Sequence, residues 1–157
     1  MKKIIIATAL LMGIAFAASA QPRAIGLRLG YGTEASYQHT LNGENFIEAN
    51  LGAFGFGALQ ASAVYNFMIA QPAWTTRGEW GIYAGPGVAL GTGFSKGYAL
   101  NIDVVGQVGL EYTFWFPLQL SVDLRPQFGV LIAENTRFHS EGAWGGVIPT
   151  LSVRYRF

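Results

Sequence analysis

The sequence predicts an all-β fold, an eight-stranded antiparallel up-and-down barrel, and three observations carry that expectation. Apolar and polar residues alternate with a period of two through most of the chain, the spacing of strands with one apolar and one polar face. Hydrophobic residues make up 51% of the chain and aromatics 14%, yet beyond residue 20 no apolar run nears the ~18 residues of a membrane helix. Glycine and Asn-Gly breaks separate the alternating segments at hairpin spacing.

The first 20 residues stand apart from this pattern. Lys2 and Lys3 precede an apolar stretch from Ile4 to Ala18, which ends in Ala18-Ser19-Ala20 before Gln21 and Pro22. A charged start, an apolar centre and small residues at the end describe a secretory signal peptide, with cleavage expected after Ala20. Residues 21–157 then form a single barrel domain.

The expected strands follow in order. Ala24 to Tyr31 alternates Ile25, Leu27, Leu29 and Tyr31 with Gly26, Arg28 and Gly30, and a bend near Gly32 leads into Thr33 to Leu41. Asn42-Gly43-Glu44-Asn45 is a hairpin turn, because Asn-Gly tolerates the positive φ that tight turns require. Phe46 to Phe54 and Leu59 to Ile69 flank a turn at Gly55-Phe56-Gly57. A polar connection from Ala70 to Glu79 leads to Trp80 through Leu90, and Gly91 to Gly97 is the loop before Tyr98 to Phe114. Trp115-Phe116-Pro117 turns the chain into Leu118 to Ala133, Glu134 to Ala143 is a polar loop, and Trp144 to Phe157 closes the chain. Pro86, Pro126 and Pro149 fall inside these segments, where each removes a ladder hydrogen bond, so bulges or early strand ends are expected there.

Eight strands bring both chain ends to the same side, as a bacterial membrane barrel requires. A chain that must satisfy every backbone polar group in lipid has only helices or a closed barrel available. If the chain enters a membrane, the absence of an apolar helix beyond residue 20 leaves the eight-stranded antiparallel up-and-down transmembrane β-barrel. Its faces are set by energy, since an arginine facing lipid costs about 2–4 kcal/mol at the midplane and little near the interfaces. Arg28 and Arg125 lie well inside their segments, so their faces look into the lumen, and Glu34, Glu48, Asp103, Glu111, Asp123 and Arg154 share that parity. A small barrel is filled by its own side chains, and buried charges persist when paired and hydrogen-bonded. These eight residues are therefore expected to form a lumen ion network that makes the barrel a poor channel. Phe114, Trp115, Phe116, Tyr155 and Phe157 are expected near one interface, and Phe94, Tyr98, Phe138 and Trp144 near the other.

Other chemistry finds little purchase. Without the signal, Lys96 and seven arginines face nine acidic residues, a balance of −1 that offers no basic field for nucleic acid. There is no cysteine and hence no thiolate metal site, and His39 has no second ligand at suitable spacing. Gly85-Pro86-Gly87-Val88-Ala89-Leu90-Gly91 is not followed by the helix that a dinucleotide loop needs. His139-Ser140-Glu141 holds the residue types of a hydrolase, but consecutive residues on a strand point apart and a triad needs convergence in space. No cofactor is implied.

The last strand carries a further pattern, with Leu151, Val153, Tyr155 and Phe157 on one face and Ser152, Arg154 and Arg156 on the other. It resembles the C-terminal assembly signal of outer-membrane barrels, which ends in phenylalanine with an aromatic two residues before. Together with Ala24 to Gly30, Tyr83 to Gly87, Gly106 to Tyr112 and Leu118 to Asp123, it makes the chain similar to the small eight-stranded outer-membrane barrels. That group includes OmpX-like and OmpA-domain-like barrels and the broader porin-family-like outer membrane β-barrel proteins. The resemblance implies insertion in the cell outer membrane by the barrel assembly machinery, outer-membrane lipid as the surrounding partner, and a monomer. It carries over no catalytic residue, so the expected role is structural or interactive and not enzymatic. The alternatives are a soluble lipocalin-like ligand-binding barrel, which requires an apolar interior, and a lipid-modifying outer-membrane enzyme using His139.

Overall fold

A computed structural model describes residues 22–41, 44–54, 57–94, 99–132, 137–140 and 148–157. The expected signal segment, the Asn42-Gly43 step and the aromatics Tyr98 and Trp144 lie outside the described residues. The fold is all-β. Its segments are β1 (Arg23–Leu29), β2 (Thr33–Thr40), β3 (Phe46–Phe54), β4 (Ala58–Ala70), β5 (Glu79–Gly93), β6 (Ala99–Thr113), β7 (Leu118–Leu124), β8 (Gln127–Ile132), β9 (Arg137–Ser140) and β10 (Thr150–Arg156). From β1 to β6 each pairs antiparallel with the next. Both β7 and β8 lie along β6, so they are two halves of one stave. In the same way β9 pairs with β8 and β10 with β7, giving the eighth stave, and β10 closes on β1. The result is a closed eight-stranded antiparallel up-and-down barrel.

The prolines explain where the staves are interrupted. Pro126 has no N–H to give, and the stave expected from Leu118 to Ala133, with an interruption at this proline, stops at Leu124 and resumes at Gln127. The Pro126 carbonyl still accepts from Gly106 N at 3.0 Å, which holds the break against β6. Pro149 immediately precedes β10, which begins at Thr150. Pro86 instead stays inside β5, and the ladder to β4 pauses opposite it, between Val64↔Gly87 and Phe67↔Ala84, without a change of register. The expected polar loop from Glu134 to Ala143 is corrected as well, because Arg137–Ser140 pairs with β8 as strand β9. Polar composition suits a loop equally well as one solvated strand face, and the alternation there is too short to tell them apart.

Register fixes the shape of the barrel. Starting from Arg28 and stepping across paired residues, one route runs through Glu34, Gly52 and Gln60 to Gly91, and the other through Ser152, Ser121 and Glu111 to Gly81. Both end points lie on β5, ten residues apart. A stagger of ~33 Å around a girth of eight strands spaced ~4.8 Å apart tilts the staves by about 41° and sets a backbone diameter of roughly 16 Å. Such a bore is filled by side chains.

The interior meets that limit by pairing large polar residues with glycine across the ladder. Gly52 faces Glu34, Gly81 faces Glu111, Gly109 faces Asp123 and Tyr83, and Gly129 faces Asp103. A Cβ added at Gly52 would stand 2.5 Å from Glu34 Cγ, and one at Gly109 would stand 2.8 Å from Asp123 Cβ and run into the Tyr83 ring. The recurrent glycines of the polar face are thus the space into which the charged side chains fold. Gly78, in the connection between β4 and β5, has another role, since its φ of 72° suits a residue without Cβ.

Candidate functional site

The polar parity of every stave points inward. Among the described residues, Arg28, Glu34, Glu48, Asp103, Glu111, Asp123, Arg125 and Arg154 are all buried in the barrel, Arg28 and Glu48 completely. Arg28 is the hub. Its Nη1 donates to Glu34 Oε2 at 2.7 Å, its Nη2 to Asp123 Oδ1, and its Nε lies 3.4 Å from Glu48 Oε1. Glu34 also accepts from Arg125 Nη2, and Glu48 Oε2 lies 3.1 Å from Arg154 Nη2. Three arginines and three carboxylates therefore meet in one cluster, and the opposed charges offset the cost of taking each out of water.

Neutral polar residues carry the cluster to the remaining staves. Arg154 donates to Ser36 Oγ at 2.9 Å and to Ser121 Oγ at 2.7 Å, and Arg125 donates to Ser62 Oγ at 3.0 Å. Gln38 donates to Glu48 at 3.1 Å, Gln107 reaches the same carboxylate at 3.5 Å, and the Tyr83 hydroxyl stands 3.5 Å from Asp123. With Arg28 on β1 and Arg154 on β10, this one connected network touches all eight staves. Ser36, Ser62, Gln107 and Ser121 lie on the polar parity, and that parity was the signal for their place in the network.

Two of the expected members lie apart from this cluster. Asp103 accepts a hydrogen bond from Asn101 Nδ2, nearer the end where β5 meets β6 at Gly93 and Ala99. Glu111 lies toward the opposite end and forms no ion pair among the described residues. Arg23 is a finding that parity does not foresee. It occupies the outward parity of Ile25 and Leu27 but is buried at the rim, where its backbone exchanges hydrogen bonds with Phe157.

The outer face is the reverse of the interior. Among the described residues 28 large hydrophobic side chains are exposed, whereas six hydrophobic and 20 polar or charged residues are buried. Leu151, Val153, Tyr155 and Phe157 all face outward. At that end of the barrel a chain of ring contacts links Trp74, Trp80, Tyr112, Phe114, Trp115 and Phe116, with centroids 4.6–5.9 Å apart. Phe94 is exposed at the other end. The β9 backbone contains His139, whose side chain lies outside the described residues, and no group of three or more His or acidic residues suited to a metal occurs among those described. The chain matches no family model, no curated protein and no solved structure.

Proposed function

We propose that the chain is an integral outer-membrane β-barrel protein with a structural or interaction role, a side-chain-filled lumen and no enzymatic activity. The observation that carries this reading is the inverted distribution of side chains. Soluble monomers rarely expose an apolar patch beyond a few hundred Å², whereas here exposed Leu, Ile, Val and aromatic residues stand on seven of the eight staves, with exposed Ala35 and half-buried Tyr37 on β2. Lipid is the solvent in which that surface is stable, and a closed ladder is what lipid demands of the backbone. The exposed rings of Trp115, Phe116, Tyr155 and Phe157 suit an interfacial girdle, which would place this end at the periplasmic side. A lipocalin-like pocket fits less well, because the bore holds Arg28, Glu48 and their partners in place of an apolar cavity.

Refolded protein is expected to stay monomeric and folded in mild detergent and to shift its mobility on heating. A monomer that is folded and soluble without detergent would overturn the reading.

In the same proposal the outward row Leu151, Val153, Tyr155 and Phe157 serves the barrel assembly machinery. In the finished barrel Phe157 adds little, as its N–H donates to Arg23 O at 2.8 Å and its carbonyl accepts from Arg23 N at 3.0 Å. Two such bonds contribute about 1–3 kcal/mol. Deleting Phe157 should therefore sharply lower the amount inserted in cells while refolding into lipid vesicles without the machinery remains close to the parent. Equal losses in the two assays would remove the assembly role.

A further inference from the structure

At the end of the barrel where β1 begins and β10 ends, the bore opens into a cavity of about 190 Å³. Glu111 and Gln119 stand on its wall, both buried, with Glu111 8% exposed. Among the described residues, Glu111 Oε2 and Gln119 Oε1 have no hydrogen-bond partner. Two neighbouring acceptors, one of them on a carboxylate, thus line the cavity without a hydrogen bond from any described residue, the wall arginines Arg23 and Arg156 included. Leaving such groups unpaired is costly, and the cost is greatest for the charged one.

The wall restricts what could fill the space. Arg23 and Arg156 are outnumbered by Glu44, Glu79 and Glu111, so the lining favours a cation. A divalent metal is poorly served, because calcium takes six or more oxygen ligands and no cluster of three acidic or His residues is present among those described. An ammonium group brings three donors and no acceptor. Phe46 and Met68 add apolar wall for a short alkyl chain.

We propose that this vestibule binds a small primary ammonium group, with Glu111 Oε2 and Gln119 Oε1 as its acceptors. Such a group has two sources. One is a free alkylamine. The other is the chain's own terminus, since cleavage after Ala20 would leave the α-amino group on Gln21, next to Pro22 in the cavity lining. The site depends only on the barrel interior, so its failure would leave the membrane reading standing.

The test is titration of isotopically labelled, refolded mature barrel in micelles with methylammonium chloride, against potassium chloride at equal ionic strength. The Gln119 side-chain amide and the Trp80 indole are followed by NMR. A saturable shift is expected with methylammonium alone, absent in Glu111→Gln and about tenfold weaker in binding for Gln119→Met. If the chain's own terminus fills the site, the free-terminus protein stays silent and the N-acetylated protein responds, which also supports the proposal. Silence of both forms, an equal response to potassium, or an unchanged response in Glu111→Gln would overturn it. Should Glu111→Gln fail to refold, Gln119→Met decides in its place, and unchanged affinity there overturns the assignment.

Discussion

Replacing Arg28 by methionine is expected to destabilise the barrel by about 3–5 kcal/mol, the cost of removing one partner from a buried ion cluster. Methionine nearly preserves the volume, so the loss is electrostatic and not a cavity effect. Glu34 would retain Arg125 and Glu48 would retain Arg154, but among the described residues Asp123 would keep only the Tyr83 hydroxyl at 3.5 Å. Most of the penalty should therefore reside on Asp123. Adding Asp123→Asn to Arg28→Met is expected to recover more than about 1 kcal/mol, the coupling shown by residues that share one network. Equilibrium denaturant unfolding of the refolded protein measures both quantities. A single-variant loss below about 1 kcal/mol would mean that the charges are hydrated in the bore and that the cluster is no plug.

The same cluster shows what a sequence reveals about such a barrel. Which face each charged residue occupies follows from period-two parity, and the inward position of all eight expected charges needs nothing more. Height along the axis does not follow from parity, because it depends on how far each strand slides along the next. Here the ten-residue stagger carries Glu111 toward one end and Asp103 toward the other, while Arg28, Asp123 and Arg154 converge. Residues with identical parity thus divide into a cluster and two outliers. The interruptions divide along similar lines. Pro126 marks a break visible in the sequence, but what keeps β7 and β8 in one stave is their common pairing along the preceding strand β6, whose register parity does not give. Arg23 departs from parity at the first residue of the first strand, where it is buried at the rim although it shares the outward parity of Ile25 and Leu27.

Leu27→Arg should separate lipid from water as the solvent of the outer face. Leu27 is 53% exposed at the outward parity of β1, flanked in register by Ala35 and Val153. Its side chain cannot reach the acids of the bore, because a strand sends neighbouring residues to opposite faces and Arg28 already takes the inward position. In a bilayer the new guanidinium must stay among acyl chains or snorkel to an interface, which costs about 2–4 kcal/mol near the midplane. In water the same change at an exposed strand position costs within about 0.5 kcal/mol. Ile69→Arg, one residue from the end of β4 and 63% exposed, supplies the rim control. There the cost in lipid falls to about 0–1 kcal/mol. Denaturant unfolding from lipid vesicles should therefore show a large loss for Leu27→Arg and a small one for Ile69→Arg. Small, equal losses would mean that water and not lipid bathes the outer face, and the membrane reading would fall with them.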